Sequence, residues 1–389
     1  MTAAAIIGMG AICSAAAGVE RGFEAIRQGT DGLSRFDAFE TGLKLAPLCS
    51  PVKQVPGLSQ APNRTAAMAL CAAQEALAPV HNRRNLKLHI IVATTVAGMS
   101  RSEVFYRKFR EDPTTAALAA QELGHHEPTA LSGFLCENLG GASFCTLSTA
   151  CSTGLHAVGM AKRSLTQGAD LCLAVGADAL SLLTIRGFSS LMLIDPSGCK
   201  PFDKRRAGIS LGEGAAAMLL ASEKAVRLLG VAPLAFVTGW GATADCHHMT
   251  APHPAGDGAM RCMRAALNEA GLTPAKIGLI VSHGTATPYN DLAEITALSS
   301  VFAVVPPFCS LKRTLGHTLA ASGILEAVFA VCAMQHGCIL PTAGFEQPDE
   351  AIGRSPARYR EQPLEHVLKN AFGFGGNNAA AVISREATG

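Results

Sequence analysis

A turn of small residues, Thr146-Leu-Ser-Thr-Ala-Cys-Ser-Thr-Gly154, joins a predicted strand to a predicted helix. The strand covers the apolar residues 142–147, and the helix covers residues 152–166, where apolar side chains recur at a spacing that faces a core. A short buried strand followed by an amphipathic helix is typical of an α/β protein. This segment therefore predicts the fold class.

Cys151 stands in this turn, directly before the predicted helix. A thiol at a helix N-terminus feels the positive end of the helix dipole, which stabilises the thiolate. Backbone N–H groups at such a turn are also free to donate to an oxyanion. The alternative is that Cys151 is one more buried cysteine among thirteen, and the turn by itself does not decide between the two.

The same alternation of apolar strands and amphipathic helices continues along the chain and predicts an α/β architecture throughout. Near residues 228–233 one series of alternating strands and helices ends and a second series begins. Each series contains a small-residue turn that leads into a helix. We therefore expect two similar halves, residues 1–230 and 231–389. The predicted strands are 4–8, 88–94, 142–147, 171–175, 215–220, 234–239, 277–282, 366–370 and 379–383, and the predicted helices are 19–28, 64–78, 152–166, 257–270, 291–299 and 319–335.

Composition excludes several classes of protein. Hydrophobic residues make up 49% and charged residues 16% of the chain, which is typical of a core-rich globular protein, and a net charge of +2 gives no signal for nucleic acid. The thirteen cysteines lie mostly in apolar runs without a CxxC pair, so we expect reduced thiols in the cytoplasm and no structural zinc.

Two apolar stretches are candidates for a membrane span or an export signal. Residues 2–19 carry no charge, but they lack a basic start and contain two glycines, so a first strand is favoured over a signal peptide. The apolar run 324–334 is shorter than the roughly 20 residues that cross a bilayer. We therefore expect no membrane span.

Two histidines follow strand-like or turn segments. His283 ends the apolar run 277–282, and Thr285 and Thr287 behind it alternate in a way that suits an extended polar ligand. His317 precedes a predicted helix, whose dipole lowers the imidazole pKa and favours a neutral ring that donates through Nε2–H. A surface loop and a simple helix cap are the alternatives for these two segments.

Further candidates lie around His317 and near the C-terminus. Lys312 precedes His317, and Glu326 lies on the following predicted helix. We expect Lys312 and Glu326 to form a buried ion pair. Burying such a pair is costly in desolvation free energy, so the pair suggests a function. Glycines alternate with Phe372 and Phe374 in a loop between two strands. We expect these rings to border an apolar channel; a tight hairpin with core phenylalanines is the alternative.

Taken together, these segments resemble the elongating β-ketoacyl-acyl carrier protein synthases of the type II fatty acid and polyketide family, in the thiolase superfamily. The resemblance covers essentially the whole chain and implies a thiolase fold with a duplicated α-β-α-β-α five-layered architecture. The matching motifs are Ile6-Ile-Gly-Met-Gly-Ala, Gly29-Thr-Asp-Gly, Lys200-Pro-Phe-Asp-Lys-Arg-Arg-Ala-Gly, Gly212-Glu-Gly-Ala, His248-Met-Thr-Ala-Pro, His283-Gly-Thr-Ala-Thr-Pro, Lys312 to His317, and Phe372-Gly-Phe-Gly-Gly.

The resemblance assigns a role to each candidate. Cys151 would carry the acyl chain as a thioester, while His283 and His317 would promote loss of CO2 from malonyl-acyl carrier protein and stabilise the enolate. The backbone N–H groups of Cys151 and Phe374 would form the oxyanion hole, with Phe374 also the gate beside Phe372. Thr285 and Thr287 would hold the pantetheine arm, and Lys312 and Glu326 would form the family's ion pair.

The resemblance also implies an acyltransferase that needs no metal or organic cofactor and works on acyl- and malonyl-loaded carrier protein. Carrier proteins are acidic, and Arg64 and Arg206 match basic docking positions of the family. The chain would form a homodimer, or a heterodimer with a ketosynthase-like subunit. A non-catalytic, chain-length-determining subunit is the alternative, although such subunits typically lose the cysteine that this chain keeps as Cys151.

Three departures from the family pattern leave the pathway open between fatty acid synthesis and specialised polyketide or polyene synthesis. Asn377 replaces a loop threonine, Ala207-Gly-Ile-Ser210 replaces the usual Asp-Gly-Phe-Val, and Arg313 replaces a serine.

Overall fold

Ten of the fourteen strands in the described residues, 3–80, 83, 86–115 and 123–387 of the computed structural model, form one mixed sheet. The strands are β1 (Ala4–Ile12), β2 (Ser34–Arg35), β3 (Leu48–Cys49), β4 (Leu88–Ala93), β5 (Ser143–Leu147), β6 (Leu171–Asp178), β7 (Gly214–Ala221), β8 (Ala235–Ala244), β9 (Leu279–Val281), β10 (Phe308–Cys309), β11 (Cys338–Ile339), β12 (Arg360–Glu361), β13 (His366–Gly373) and β14 (Asn377–Ser384).

The described residues also form eleven α-helices, most of which carry a buried apolar face against the sheet. They are α1 (Val19–Arg27), α2 (Arg64–Leu77), α3 (Met99–Glu111), α4 (Pro128–Leu139), α5 (Thr153–Thr166), α6 (Leu182–Ser190), α7 (Glu223–Leu229), α8 (Asp257–Ala270), α9 (Pro288–Val301), α10 (Lys312–Leu315) and α11 (Ser322–His336).

The sheet consists of two five-stranded parts with the same internal order. The first part runs β5-β4-β6-β7-β1 and the second runs β10-β9-β13-β14-β8, with the same succession of parallel and antiparallel pairs. They join where Ala4–Ile6 of β1 pairs with Ala235–Val237 of β8. This repeat of the strand order supports our proposal that the chain consists of two similar halves, residues 1–230 and 231–389.

Three helical layers enclose the two half-sheets. Helices α2 and α4 cover the outer face of the first half-sheet, and α8 and α9 cover the outer face of the second. Helices α5 and α11 lie in the middle and contact strands of both halves. The resulting α-β-α-β-α arrangement is the five-layered architecture predicted from the sequence.

The sequence prediction that no apolar stretch is long enough to span a bilayer needs a correction. The run 324–334 looked too short to span a bilayer, but the helical segment Leu319–His336 has 18 residues and a mean hydropathy of 1.4, which is enough by length and composition. However, 89% of this segment is buried inside the protein. Its apolar surface packs between the half-sheets as the central helix α11 and the turn before it.

The two central helices cross through glycines at their N-termini. A Cβ on Gly323 of α11 would lie 2.5 Å from the Leu155 nitrogen, and a Cβ on Gly154 of α5 would lie 2.6 Å from the Ala320 oxygen. Only a residue without a side chain permits backbones to approach this closely. The crossing therefore sets the distance between the turn before α5 and the turn before α11.

We expect Gly323→Ala to destabilise the protein by about 2 kcal/mol or more, because its Cβ meets backbone atoms that have no room to move. The matched control is Gly187→Ala in α6, where no atom of the described chain lies within 4 Å of the added Cβ. That variant should be neutral or gain up to about 1 kcal/mol from helix propensity. Denaturant titration measures both, and equal effects would argue against a close crossing.

Candidate active site

The three reactive side chains found in the sequence meet at one cavity of about 260 Å³. Cys151 comes from the turn before α5, His283 from the end of β9, and His317 from the turn before α11. Residues that line the same cavity include the other predicted substrate and gate positions, Thr285, Thr287, Phe372 and Phe374.

Each of these three segments contains a strained residue close to its reactive group. Ala150, Ala286 and Leu319 all have positive φ, at 54°, 67° and 51°. This conformation is costly for a residue with a side chain and persists only where the surroundings enforce it. Here it turns the chain sharply so that Cys151 and His317 face the cavity rather than continuing the local strand or helix.

Cys151 precedes the N-cap Ser152 and is 5% exposed. Burial raises the pKa of its thiol to about 11, although Lys312 and the backbone N–H groups of Phe374 and Cys151 act in the opposite direction. The expected stabilisation of the thiolate is thus present but smaller than the cost of burial. Notably, the two amides that reach the sulfur are the pair predicted for an oxyanion hole.

The loop that carries Phe374 approaches the cysteine turn at Gly373. A Cβ at this position would lie 2.8 Å from the Thr149 oxygen and 3.2 Å from the Cys151 nitrogen. The glycine therefore lets two backbones meet, and this contact delivers the Phe374 amide to the sulfur. The Phe374 ring lies 5.6 Å from Phe188 across the cavity wall.

His317 is held in a defined orientation by the turn that follows it. Its Nδ1 accepts a hydrogen bond from the Leu319 N–H at 3.1 Å. A ring nitrogen that accepts from an amide carries no proton, so this bond assigns the proton of the neutral ring to Nε2. Burial, followed by the charges of Lys312 and Lys369, lowers the pKa of His317 well below its usual value.

His283 lies beside His317 with its ring 5.6 Å away and nearly perpendicular, and Phe372 lies 5.8 Å from it on another side. The backbone N–H groups of His283 and Gly284 donate to the two oxygens of the buried Glu294, each at 2.9 Å. Burial, Lys312, His317 and Lys369 all lower the pKa of His283. Both imidazoles are therefore neutral near pH 7.

The predicted partners Lys312 and Glu326 lie behind the two histidines, away from the cavity lining. Their side chains are each 1% exposed, and the Lys312 ammonium binds Glu326 Oε1. A buried pair of this kind is costly in desolvation, so its place beside the reactive groups bears on the electrostatics of the site.

Sequence reasoning missed several residues of this network. Lys369 lies 2.7 Å from Glu326 Oε2, and Asn370 donates to Glu294 at 3.2 Å. Asp178 accepts the backbone N–H groups of Val96 and Ala320 and so links the two halves. One available signal was a lysine inside the apolar strand 366–370 directly before the Phe-Gly-Phe-Gly-Gly loop.

The two predicted docking arginines do not line the cavity, and both are engaged within the chain. Arg64 is 30% exposed and donates to both oxygens of Glu213. Arg206 is only 7% exposed and lies 2.5 Å from Asp349. The docking role of Arg64 and Arg206 therefore stays a prediction, and the charge of Arg206 is largely covered by its own chain.

Known proteins resemble this chain in sequence and in fold. The 3-oxoacyl-[acyl-carrier-protein] synthase 2 of Coxiella burnetii is 35% identical over 253 residues, which are 62% of this chain and 61% of that protein. The chain thus spans about three fifths of the length of the curated relatives it matches.

Two solved structures extend the likeness over the whole chain. The ishigamide ketosynthase/chain length factor is 28% identical with a TM-score of 0.90 and 99% coverage of both chains. A ketosynthase in complex with its chain length factor from Xenorhabdus doucetiae is 26% identical with a TM-score of 0.81, covering 99% of this chain and 98% of that one. These neighbours confirm the predicted thiolase-type fold.

Two family models match different parts of the chain, and the reactive residues are distributed between these two parts. The model for the N-terminal domain of β-ketoacyl synthase matches residues 1–225, which contain Cys151, and the model for the C-terminal domain matches residues 234–346, which contain both histidines. Since the first match alone covers more than half of the 389 residues, and both fall on the halves that meet at the cavity, the chain belongs to the β-ketoacyl synthase family.

Proposed function

We propose that the protein catalyses a decarboxylative Claisen condensation between an acyl group held on Cys151 and malonyl-acyl carrier protein. The product is a β-ketoacyl-acyl carrier protein, in type II fatty acid synthesis or in a specialised polyketide or polyene pathway. One observation carries the proposal: a thiol, two neutral imidazoles and two amides aimed at the sulfur converge on one cavity.

In the first step the Cys151 sulfur attacks the carbonyl of an acyl thioester on the carrier protein. The N–H groups of Cys151 and Phe374 stabilise the tetrahedral oxyanion, because the bound carbonyl oxygen lies beside the sulfur that they already contact. The carrier thiol leaves with the proton of the cysteine, and the acyl chain remains on the enzyme. Covalent capture splits a difficult condensation into two easier steps.

In the second step the malonyl thioester binds with its carbonyl oxygen between the two imidazoles. The Nε2–H of His317 donates to this oxygen, and His283 is the second donor. As the C–C bond to the carboxylate breaks, CO2 leaves and its electron pair forms an enolate on that oxygen. The enolate carbon then attacks the acyl carbonyl, the Cys151 sulfur departs, and a proton restores the thiol.

Neutral rings suit this step better than charged ones. A protonated His317 would place an Nδ1–H against the Leu319 N–H, and the two donors would repel each other and turn the ring. The low pKa of both histidines keeps the rings neutral, so the Nε2–H of His317 stays in position as a hydrogen-bond donor. The step then needs no strong acid or base. Decarboxylation supplies the carbanion, so no base has to remove a carbon-bound proton.

The partners follow from the substrates. The pantetheine arm of an acyl carrier protein enters past Thr285 and Thr287, whose hydroxyls lie 3.1 Å apart on the cavity wall. The chain acts in the cytoplasm as a homodimer or as the catalytic member of a heterodimer, an arrangement that the Xenorhabdus doucetiae complex illustrates. The alternative, a non-catalytic chain-length subunit, is disfavoured because the thiol and both imidazoles are present and converge.

Incubation with acyl-carrier protein should add the mass of the acyl group to the intact protein, and malonyl-carrier protein should then release a β-ketoacyl product. Cys151→Ala should abolish both signals because it removes the only nucleophile that we place in the cavity. Cys246→Ala, which removes an exposed cysteine, is the matched control and should keep both. Acylation that persists in Cys151→Ala would refute the assignment.

His317→Ala should form the acyl-enzyme at a rate close to wild type but lose condensation by about 10²-fold or more, because one donor to the enolate oxygen is missing. Single-turnover assays separate the two steps. His336→Ala, at a half-exposed position that stacks on Phe23, is the control and should leave both rates unchanged. An equal loss in both steps would instead indicate that His317 acts on the thiol.

The free thiol should be slow to alkylate at neutral pH. With a pKa of about 11, Cys151 should react with iodoacetamide at a rate that rises about tenfold per pH unit from pH 7 to about 10. Peptide mass spectrometry follows Cys151 separately from the other cysteines. A plateau reached below pH 8 would show that the helix dipole and Lys312 outweigh burial.

A further inference from the structure

Lys369 is a fully buried lysine that the proposed chemistry does not use. It lies in β13 with a side chain that is 0% exposed, and it points toward α11, whereas the next residue, Asn370, binds Glu294 in the opposite layer. An ammonium group is hardly ever buried this far without partners. Its contacts therefore indicate what it stabilises.

The first contact of Lys369 is electrostatic. Its Nζ lies 2.7 Å from Glu326 Oε2, while Lys312 binds Glu326 Oε1, so one carboxylate lies between two ammonium groups. Glu294 is the second buried carboxylate near the histidines. Two lysines thus face two glutamates, and without Lys369 the surroundings of the imidazoles would be more negative by one charge, which attracts protons to the rings.

The second contact is with the backbone that leads to His283. The Lys369 ammonium donates to the carbonyl oxygens of Val281 at 3.4 Å and Ser282 at 3.3 Å, and also to its neighbour Asn370. Val281 ends β9 and pairs directly with Lys369 in the sheet. Lys369 therefore ties the carboxyl end of β9, from which His283 projects, to the carboxylate of α11.

We propose that Lys369 is a positioning residue that balances the buried glutamates and anchors the end of β9, so that both imidazoles stay uncharged and face the thioester. The inference rests on the proposed function for its consequence in catalysis. The groups that face the two rings are Lys312, Lys369, Glu326, Glu294, Asp178 and Cys151. Removal of Lys369 changes this balance by one positive charge.

The test is a pH titration of ¹⁵N-histidine-labelled protein by NMR, in wild type and in Lys369→Met, which keeps an unbranched side chain of similar shape, one atom shorter, and removes its charge. Signals are assigned with His283→Ala and His317→Ala. In wild type both rings should be neutral near pH 7, with His317 protonated at Nε2. In Lys369→Met their pKa should rise by about one unit, as expected for the loss of a nearby charge at an effective dielectric constant of about 20.

Lys162→Met is the control, because Lys162 is also a buried lysine in an ion pair, with Glu269 at 2.9 Å, but it lies outside the cavity lining. It should leave both histidine pKa values unchanged. Lys369→Arg, which keeps the charge, should hold them at the wild-type values even if its rate falls. The acid limb of kcat/KM for condensation should move to higher pH in Lys369→Met alone.

Unchanged histidine titrations in a folded Lys369→Met would overturn the proposal. If that variant does not fold, the wild-type spectrum can still overturn the proposal, because a ring that is charged at pH 6.5 contradicts the balance of buried charges. The NMR readout does not depend on turnover. A protein that fails to condense acyl groups but shows these titrations would therefore refute the proposed function and leave the electrostatic role of Lys369 standing.

Discussion

The close crossing of two helices is the constraint on which the rest of the structure depends. Gly154 and Gly323 let the N-termini of α5 and α11 meet backbone to backbone. Cys151 precedes one helix and His317 precedes the other, so their separation depends on this close backbone contact. Asp178 reinforces it by accepting N–H groups from Val96 in the first half and Ala320 in the second. The site is therefore a product of how the duplicated halves pack.

Burial determines the chemistry of the site more than any single neighbour does. It raises the pKa of Cys151 and lowers those of both histidines, because a charged form of any of these groups would lose its hydration. The resting site is thus uncharged at the reacting atoms, while full charges are held behind it in the cluster of Lys312, Lys369, Glu326 and Glu294. In the proposed condensation, negative charge that develops on an oxyanion or enolate would meet fixed amides, imidazole donors and ammonium groups without solvent reorganisation.

Sequence reasoning could predict what depends on local pattern. The strand before Cys151, the helix after it and the positions of both histidines follow from apolar periodicity and small-residue turns, and the structure brings these residues to one cavity. Helix α3 was not predicted, because its sequence is rich in charged residues and Ser102 is its only buried residue. The pairing of Arg206 with Asp349 and of Lys369 with Glu326 depends on contacts between residues 143 and 43 positions apart, and no local pattern encodes them.

One of the three departures from the family pattern, Asn377, lies in the loop that carries Phe374. Asn377 donates to the Phe374 oxygen, Asn378 binds Asp245, and the Gly375 N–H binds the Met249 oxygen. This loop and the segment that follows β8 are thereby joined by hydrogen bonds beside the cavity. Because Gly373 also packs against the cysteine turn, a displacement of Phe374 has to break contacts on both sides of the loop. A gating motion of Phe374, as the family resemblance predicts it, would therefore involve the backbone of this loop as well as the phenylalanine ring.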